Sequence, residues 1–503
     1  MSIENRFSLI DEPLIPIADI GRVSLKQIFS NPAYRALGGN PIQKIALTKL
    51  LLAIAQAACT PDDNFDWEAL STNDLAQSGL TYLAEHHDKF YLYGDHPFLQ
   101  MPPISKAATQ PIGAVLPEIA TGNTTVLNGI QIEKSLDDAD KALLILQLMG
   151  FGLGGKKTDN SVTLSAGYTG KSKDNGKGTT GKAGASLGFM GFLHSFLQGE
   201  TLLQTVWLNL FSQEQINDLP YDAGLGVAPW EKMPEGEACE TAKQLQNSLM
   251  GRLIPLSRFC LLNETGLHYS EGIAHLDYKT GMVDPSVAFS DQKKQVLWVD
   301  AERRPWRSLP ALLSFMEANN GGFNCYYIRQ GFERMRQMEL PMAKIGLWSG
   351  GLRVSSNAGE QYVSGQDDFV ESLTFFNKED VFKKDWYAAL QQEMAELDQL
   401  ARIVYGATLG YFKNQKVDGK NQAAAASNLF WQLCERKYQA LVLECKSEEK
   451  TKLLRKEFAR FASTAYNTYC PNNTARQLDA WAAHSPNLSK YLKDTKQPEA
   501  DKA

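Results

Sequence analysis

The chain has 503 residues, of which 43% are hydrophobic and 21% charged, and its formal net charge is −6. This composition excludes a disordered or fibrous chain and can bury a sizeable core, spread over about two to four domains. The negative balance excludes a uniformly basic nucleic-acid binder. Any DNA contact must come from local patches on an acidic body, as in one subunit of an assembly whose other members carry the basic charge.

The seven cysteines, Cys59, Cys239, Cys260, Cys325, Cys434, Cys445 and Cys470, are scattered and form no C-x-x-C pair. This argues against a zinc ribbon or a disulfide framework and for a reducing compartment. The opening residues Met1–Arg6 carry no signal-peptide core. No uninterrupted apolar run reaches the ~18 residues a membrane helix needs. A cytoplasmic protein with no membrane contact is expected.

In chain order, Phe7–Ile17 (FSLIDEPLIPI) alternates apolar and polar residues and carries two prolines, so it reads as an edge strand and turn. Val23–Phe29 continues as a strand or short helix. Pro41 opens a helix whose apolar residues Ile42, Ile45, Ala46, Leu50, Ala53, Ile54 and Ala57 recur at helical spacing. Asp66–Ala84 is a weaker helical stretch. Lys89–Pro103 is an aromatic strand closed by prolines. His86, His87, Asp88, Asp95 and His96 invite a metal reading, but adjacent histidines point apart on any regular element, so turn and surface roles are expected.

The stretch from Gly150 to Gly191 is too glycine-rich for a helix or a central strand. Lys156, Lys157, Lys171, Lys173, Lys177 and Lys182 lie within it, opposed by Asp159 and Asp174. A backbone bare of Cβ atoms among lysines suits a phosphate or a nucleic acid, and it also suits a solvated loop that binds nothing. Gly150-x-Gly152-x-x-Gly155 matches the dinucleotide fingerprint, with Leu143–Met149 as the strand before it. Gly150-xxxx-Gly155-Lys156 resembles a phosphate-binding loop. Neither motif finds its following helix, and Lys157 occupies the Mg²⁺-binding Ser/Thr position.

Phe192–Phe211 reads as two packed elements joined at Gln198-Gly199. Asn217–Glu240 is loop-like, with three prolines. Leu253–Leu256, Phe259–Leu262 and Val296–Val299 are short β-like runs, with a turn at Asp277–Gly281. Lys279 at that tip suits a phosphate or base edge, or plain solvent. Residues 343–372 form a second Gly/Ser-rich region, with a tight turn at Ser355–Gly359 between short strands. Asn357 at that tip is a small polar group able to probe base edges, or an ordinary turn asparagine. From about Asp380, helical periodicity takes over at Trp386, Leu390, Met394, Leu397, Leu400 and Val404. Further helices fit Asn421–Glu444, Ser447–Tyr469 and Thr474–Leu492. Four helices with short connections make a bundle, and the tail from Lys493 is polar.

Together these stretches resemble the large subunit, CasA, of type I-E CRISPR surveillance complexes (Cascade) over nearly the whole length. The resemblance is carried by FSLIDEPLIPI, FYLYGDHPFLQ, GFGLGG, FLHSFLQGETLLQTVWLNL, Trp306 after Arg-Arg-Pro, PMAKIGLWSGGLRVSSNAG and the helical C-terminus. It implies an α+β protein with a large mixed N-terminal domain (1–375) of short sheets and helices, followed by a C-terminal four-helix bundle (376–503). It implies a non-catalytic subunit, without cofactor or metal. Such a subunit checks the protospacer-adjacent motif (PAM) of double-stranded target DNA from the minor groove and wedges the duplex open for R-loop formation. It then recruits the helicase-nuclease effector. The other partners implied are the crRNA and the remaining Cascade protein subunits, with the bundle against the small subunits and the displaced strand.

By the same resemblance the glycine loop falls on Gly150, Gly152, Gly154 and Gly155 with Lys156, and the wedge on Ser356, Asn357 and Ala358. Lys279 is the lysine finger, with Lys293 and Lys294 as alternatives, and a further polar contact falls at Asn128. Two departures stand out. The family wedge carries glutamine where this tip offers Asn357, with Gln361 nearby. The 156–186 stretch is also long, so Lys157, Lys171, Lys173 and Lys177 are expected to hold DNA phosphates. The rival readings are a nucleotide-dependent enzyme using residues 150–158 and a pure scaffold subunit.

Overall fold

The computed structural model describes residues 4–117, 135–151, 158–172, 191–276, 278–316, 322–337, 344–354, 369–381 and 384–493. The chain divides into two compact units. The first is Met1–Pro305 with Glu317–Leu373, and the second is Trp306–Met316 with Thr374–Ala503.

The first unit is built on the helix Pro41–Cys59. Its start is written locally. Pro41 needs no N–H at the first turn, the Asn40 side chain accepts from Gln43 N–H at 2.9 Å, and Gln43 returns the bond to Asn40 N–H at 3.1 Å. Its apolar residues are buried around the whole circumference rather than along one stripe. The helices Thr72–Glu85, Asp138–Gly150 and Leu202–Leu208 pack on it, as does the strand Lys344–Leu352. On length and mean apolarity this helix passes for a membrane span, although Lys44 and Lys49 interrupt its apolar residues. Its burial inside the unit explains that apolarity.

A three-stranded sheet lies beside this helix in the order Phe369–Asn377, Lys344–Leu352, His194–Gln198. His194 pairs with Gly350 and Gln198 with Gly346 in antiparallel register. A second sheet orders Thr109–Gln110, Leu267–Glu271 and Arg258–Leu262. Among the described residues three two-stranded ribbons complete the β structure: Arg6–Ser8 with Tyr91–Tyr93, Ile15–Ile17 with Gly21–Val23, and Phe289–Ser290 with Gln295–Val296. The split expected at Gly199 is present, with the strand His194–Gln198 before it and the helix Leu202–Leu208 after it.

Three expectations change. Leu143–Met149 is not a strand but the body of the helix Asp138–Gly150, because Asp137 caps it by accepting from Asp140 N–H and its apolar run is buried on all sides. Asp66–Ala84 is two helices, Asn64–Ala69 and Thr72–Glu85, the second started by the Ser71 cap. Leu253 ends a short helix, Met250–Leu253, instead of opening a strand. The two histidines at 86 and 87 do point apart. His87 Nε2 lies 2.7 Å from Asp11 Oδ2, while the His86 ring lies against Tyr82 at 4.3 Å between centroids.

The second unit is helical, as expected, but its helices are unequal. Lys384–Asn414, Lys420–Glu435 and Glu448–Tyr469 are long and pack together. The expected 421–444 helix breaks into Lys420–Glu435 and Tyr438–Glu444, and the last splits into Ala475–Ala483 and Ser489–Leu492. Trp306 brings the upstream segment into this unit by stacking on Tyr438 at 4.8 Å and meeting Trp431 edge-on. Arg307 lies over the Trp431 ring at 3.6 Å. Glu393 and Arg455 form a buried pair, with Arg455 Nε donating at 3.0 Å.

Residues of the first unit carry a pH dependence of stability. His275 is buried, and its Nε2–H donates to Pro255 O at 2.5 Å, while Nδ1 has no partner among the described residues. Burial pushes its pKa from 6.5 down to about 3. The unfolded chain therefore binds the proton that the folded chain refuses. Stability is full above 6.5 and is lost as pH falls below it toward about 3. Denaturant unfolding is expected to show a loss of roughly 2 kcal/mol from this residue between about pH 7 and pH 5, and His275→Gln should remove that part of the slope.

Candidate nucleic-acid interface

Of the residues singled out above, Asn128, Gly152, Gly154, Gly155, Lys156, Lys157, Lys173, Lys177, Lys182, Ser356, Asn357, Ala358 and Gln361 lie outside the described residues. Gly150, Lys171, Lys279, Lys293 and Lys294 lie within them. The chain flanking the undescribed stretches is informative, because it fixes where each stretch leaves and rejoins the first unit.

Gly150 ends the helix Asp138–Gly150 and is followed by the buried Phe151, whose ring meets the His194 ring at 5.9 Å. His194 opens the first strand of the three-stranded sheet. Gly191 and Phe192 rejoin the unit beside the same strand. Gly191 adopts φ +67, and a Cβ there would stand 2.9 Å from Val354 Cγ2 and 3.2 Å from Leu352 O, so only glycine fits. Val354 is the last described residue before 355–368, and Phe369 resumes the chain on the same sheet. At Gly350 a Cβ would meet Val370 O at 2.8 Å, which shows how closely the two strands approach at this end. Leu193, Val299 and Val370 form one buried cluster beneath it.

Lys279 joins the same neighbourhood. It is exposed on a short 3₁₀ turn, Tyr278–Thr280, closed by Gly281 N–H donating to Tyr278 O at 3.1 Å. Tyr278 packs into a cluster with Val283, Val287, Phe289 and Val296, and its ring meets Phe192 edge-on at 5.9 Å. A cleft of about 550 Å³ lies alongside, between Asn217–Gly224 and Thr280–Met282. Lys293 and Lys294 are exposed in the tight turn between Phe289–Ser290 and Gln295–Val296, where Lys294 pairs with Asp291 at 2.5 Å. The ends of three candidate stretches (the 150s, the 180s and 355–368) and the Lys279 turn thus meet at the His194–Gly350 end of one sheet.

This end of the sheet rests on a buried polar network that sequence reasoning missed. Lys49 Nζ, from the central helix, donates to Asp284 Oδ2 at 2.6 Å and to Arg252 O at 3.0 Å. Ser286 Oγ–H donates to Asp284 Oδ1 at 2.5 Å, and the Ser286 hydroxyl lies 2.8 Å from His194 Nδ1. Burial works to raise the Asp284 pKa, but Lys49, His194 and Ser286 hold it below the ordinary carboxylate value. The hydroxyl sits between imidazole and carboxylate, not beyond the imidazole, and all three groups are buried, so the set is not arranged as a nucleophile and its base. Lys49 and Asp284 are separated by 235 residues in the chain, so no local signal marks them.

The phosphate role expected for Lys171 is corrected. Lys171 is 1% exposed, and its ammonium donates to Glu237 Oε1 at 2.5 Å, to Ser270 Oγ at 2.9 Å and to Val162 O at 3.0 Å. With its charge spent on an interior carboxylate, it has no face for a phosphate. The dinucleotide reading loses its context as well, because a helix and not a strand precedes the glycines. Among the described residues no group of three or more His, Cys, Asp or Glu side chains could hold a metal ion.

The fold is shared with CRISPR-associated proteins of solved structure. Thermobifida fusca Cse1 superposes with a TM-score of 0.72 at 18% identity, over 97% of this chain and 97% of that one. Thermus thermophilus CasA gives 0.71 at 19% identity, over 97% and 99%. A chain described as part of a CRISPR RNA-guided surveillance complex gives 0.68 at 13% identity, over 97% and 100%. A family model described as CRISPR-associated protein Cse1 matches residues 8–467. The chain belongs to the CRISPR-associated Cse1 family. A Thermus thermophilus relative described as CRISPR-associated protein CasA/Cse1 is 28% identical over 334 residues, 61% of this chain and 60% of that relative.

The Lys49 network has a measurable weight. Lys49→Met should destabilise the chain by about 3–5 kcal/mol, since it leaves a buried carboxylate without its cation. Adding Asp284→Asn should recover part of that loss in denaturant unfolding.

Proposed function

We propose that this chain is the non-catalytic large subunit of a crRNA-guided Cascade complex, and that it recognises the PAM of duplex DNA and promotes its opening. The observation that carries the reading is the convergence at one sheet end of Phe151, which precedes 152–157, Gly191, which follows 173–190, and both flanks of 355–368 with the exposed Lys279 turn. Membership in the Cse1 family and the likeness to a chain of an RNA-guided surveillance complex support it.

The physical logic is consistent with an acidic protein. The minor groove is narrow and lined with acceptors apart from the guanine amine, so a glycine backbone enters where side chains clash. Lys279 supplies a cation at the groove. The chain on either side of 355–368 lies on two adjacent strands, and the reading assigns that segment the parting of the base pairs, whose unstacking cost of a few kcal/mol is offset by guide pairing. Sequence reading is delegated to RNA, so a strongly basic surface is not required. The partners of this reading are the other Cascade subunits, the crRNA, the target duplex and a helicase-nuclease effector recruited after opening.

The test is binding of the reconstituted guide-loaded complex to duplexes with randomised PAM positions and to single-stranded targets. Gly154→Trp and Asn357→Ala should abolish duplex opening while single-stranded targets still bind. Lys279→Ala should weaken duplexes carrying an accepted PAM by roughly tenfold. Duplex discrimination untouched by all three variants would leave the chain a scaffold subunit. Tight ATP or NAD binding by the isolated chain would favour the nucleotide-dependent enzyme.

A further inference from the structure

Residues 158–172 form an island of fixed chain between two glycine-rich stretches, and the island is held by polar groups at both ends. At its start, Asp159 N–H donates to Tyr269 O at 2.8 Å, and Asp159 Oδ2 accepts from Ala108 N–H at 2.8 Å. Asn160 Oδ1 accepts from Glu271 N–H at 3.2 Å. In its middle, Leu164 and Ser165 N–H both donate to the Glu237 carboxylate, Ser165 at 2.8 Å, and Ser165 Oγ accepts from Ala238 N–H at 2.9 Å. At its end, Lys171 completes the Glu237 site and reaches Ser270 on the strand Leu267–Glu271. Glu237 is 0% exposed.

A buried ion pair of this kind adds little net stability over an apolar pair of the same shape, whereas removing one partner is costly. Its contribution here is geometric, because the carboxylate gathers two backbone amides and one ammonium from the island onto a single point. The partner strand Arg258–Leu262 is continuous with Ser257, whose N–H donates to Met149 O at 2.9 Å in the last turn of the helix Asp138–Gly150. This sheet, with Ser257 just ahead of it, therefore holds the chain at Met149, before residues 152–157, and at Asp159, after them.

We propose that Lys171 is a positioning residue, which with Glu237 and Asn160 holds residues 158–172 on the second sheet and thereby governs PAM discrimination without touching DNA. This rests on the reading that Gly152, Gly154 and Gly155, just before these residues in the chain, meet the PAM. Sequence composition groups Lys171 with Lys173 and Lys177 as phosphate contacts, whereas the structure gives Lys171 an interior partner instead. A phosphate contact acts on all sequences alike and contributes to the salt slope. A positioning residue changes the preference between sequences and leaves the salt slope alone.

The experiment measures binding of the reconstituted guide-loaded complex to duplexes with and without an accepted PAM, across a salt series, with single-stranded target as reference. Lys171→Met is expected to lower the PAM preference by roughly three- to thirtyfold, with an unchanged salt slope and unchanged single-strand binding. Adding Glu237→Gln, which removes the stranded carboxylate, should restore a substantial part. Asn160→Ala acts on the same island without a charge change and should shift the preference in the same direction, so the proposal can be tested even if Lys171→Met folds poorly. A salt slope reduced by about one, with equal loss on all duplexes, would place Lys171 on a phosphate and overturn the proposal. The same holds if both island variants keep full preference while Gly154→Trp loses it. If Gly154→Trp keeps full preference, the underlying PAM reading fails, and that result is distinguishable because it does not involve the island.

Discussion

A lysine ammonium inside a helical core must find its partners there or lose its charge. Lys49 sits on the central helix Pro41–Cys59, where burial disfavours the charged form. Its partner is Asp284, with Arg252 O as a second acceptor. That one pair joins the main helix of the first unit to the segment that carries the Tyr278–Thr280 turn, and through Ser286 it reaches His194 at the head of the three-stranded sheet. Alternative packings that separate helix from segment strand two charges in a low-dielectric interior, at a cost of several kcal/mol. The sheet end, and the points at which the described chain leaves and rejoins it, are built around this constraint.

The same device recurs with different consequences. Lys171 with Glu237 binds the 158–172 island to the second sheet, and Arg455 with Glu393 ties two long helices of the C-terminal unit. In each case a long cationic side chain and a carboxylate distant in sequence meet where apolar side chains would pack equally well on free-energy grounds. Apolar contacts tolerate sliding, whereas a hydrogen-bonded pair has one register. For a subunit whose proposed task is to recognise and open duplex DNA, that specificity accounts for the choice better than stability does.

Much of the fold is legible in the sequence because its signals are local. The helix Pro41–Cys59 declares itself by proline at the first turn, a reciprocal Asn40–Gln43 cap and apolar periodicity. The break at Gly199 separates a strand from a helix that Thr201 caps. The helix Asp138–Gly150 passes for a strand because a run of seven largely apolar residues, buried on every face, carries no period to distinguish the two. Lys171 passes for a phosphate contact because a lysine among glycines reads as solvated, and its carboxylate lies 66 residues away. The Asp284–Ser286–His194 chain is invisible for the same reason. Long-range ion pairs leave no trace in a single sequence.

The direction of the helix Asp138–Gly150 has one more consequence. Glycine stretches that grip phosphate lie at the start of a helix, where N–H groups and the positive pole face the ligand. Here the stretch leaves from the carbonyl end, which carries about half a negative charge. Phe151 N–H takes up Gln147 O, and Ser257 N–H takes up Met149 O. The potential left at that terminus repels anions and welcomes hydrogen-bond donors. The end of this helix therefore supplies no phosphate site of its own where the glycine stretch begins.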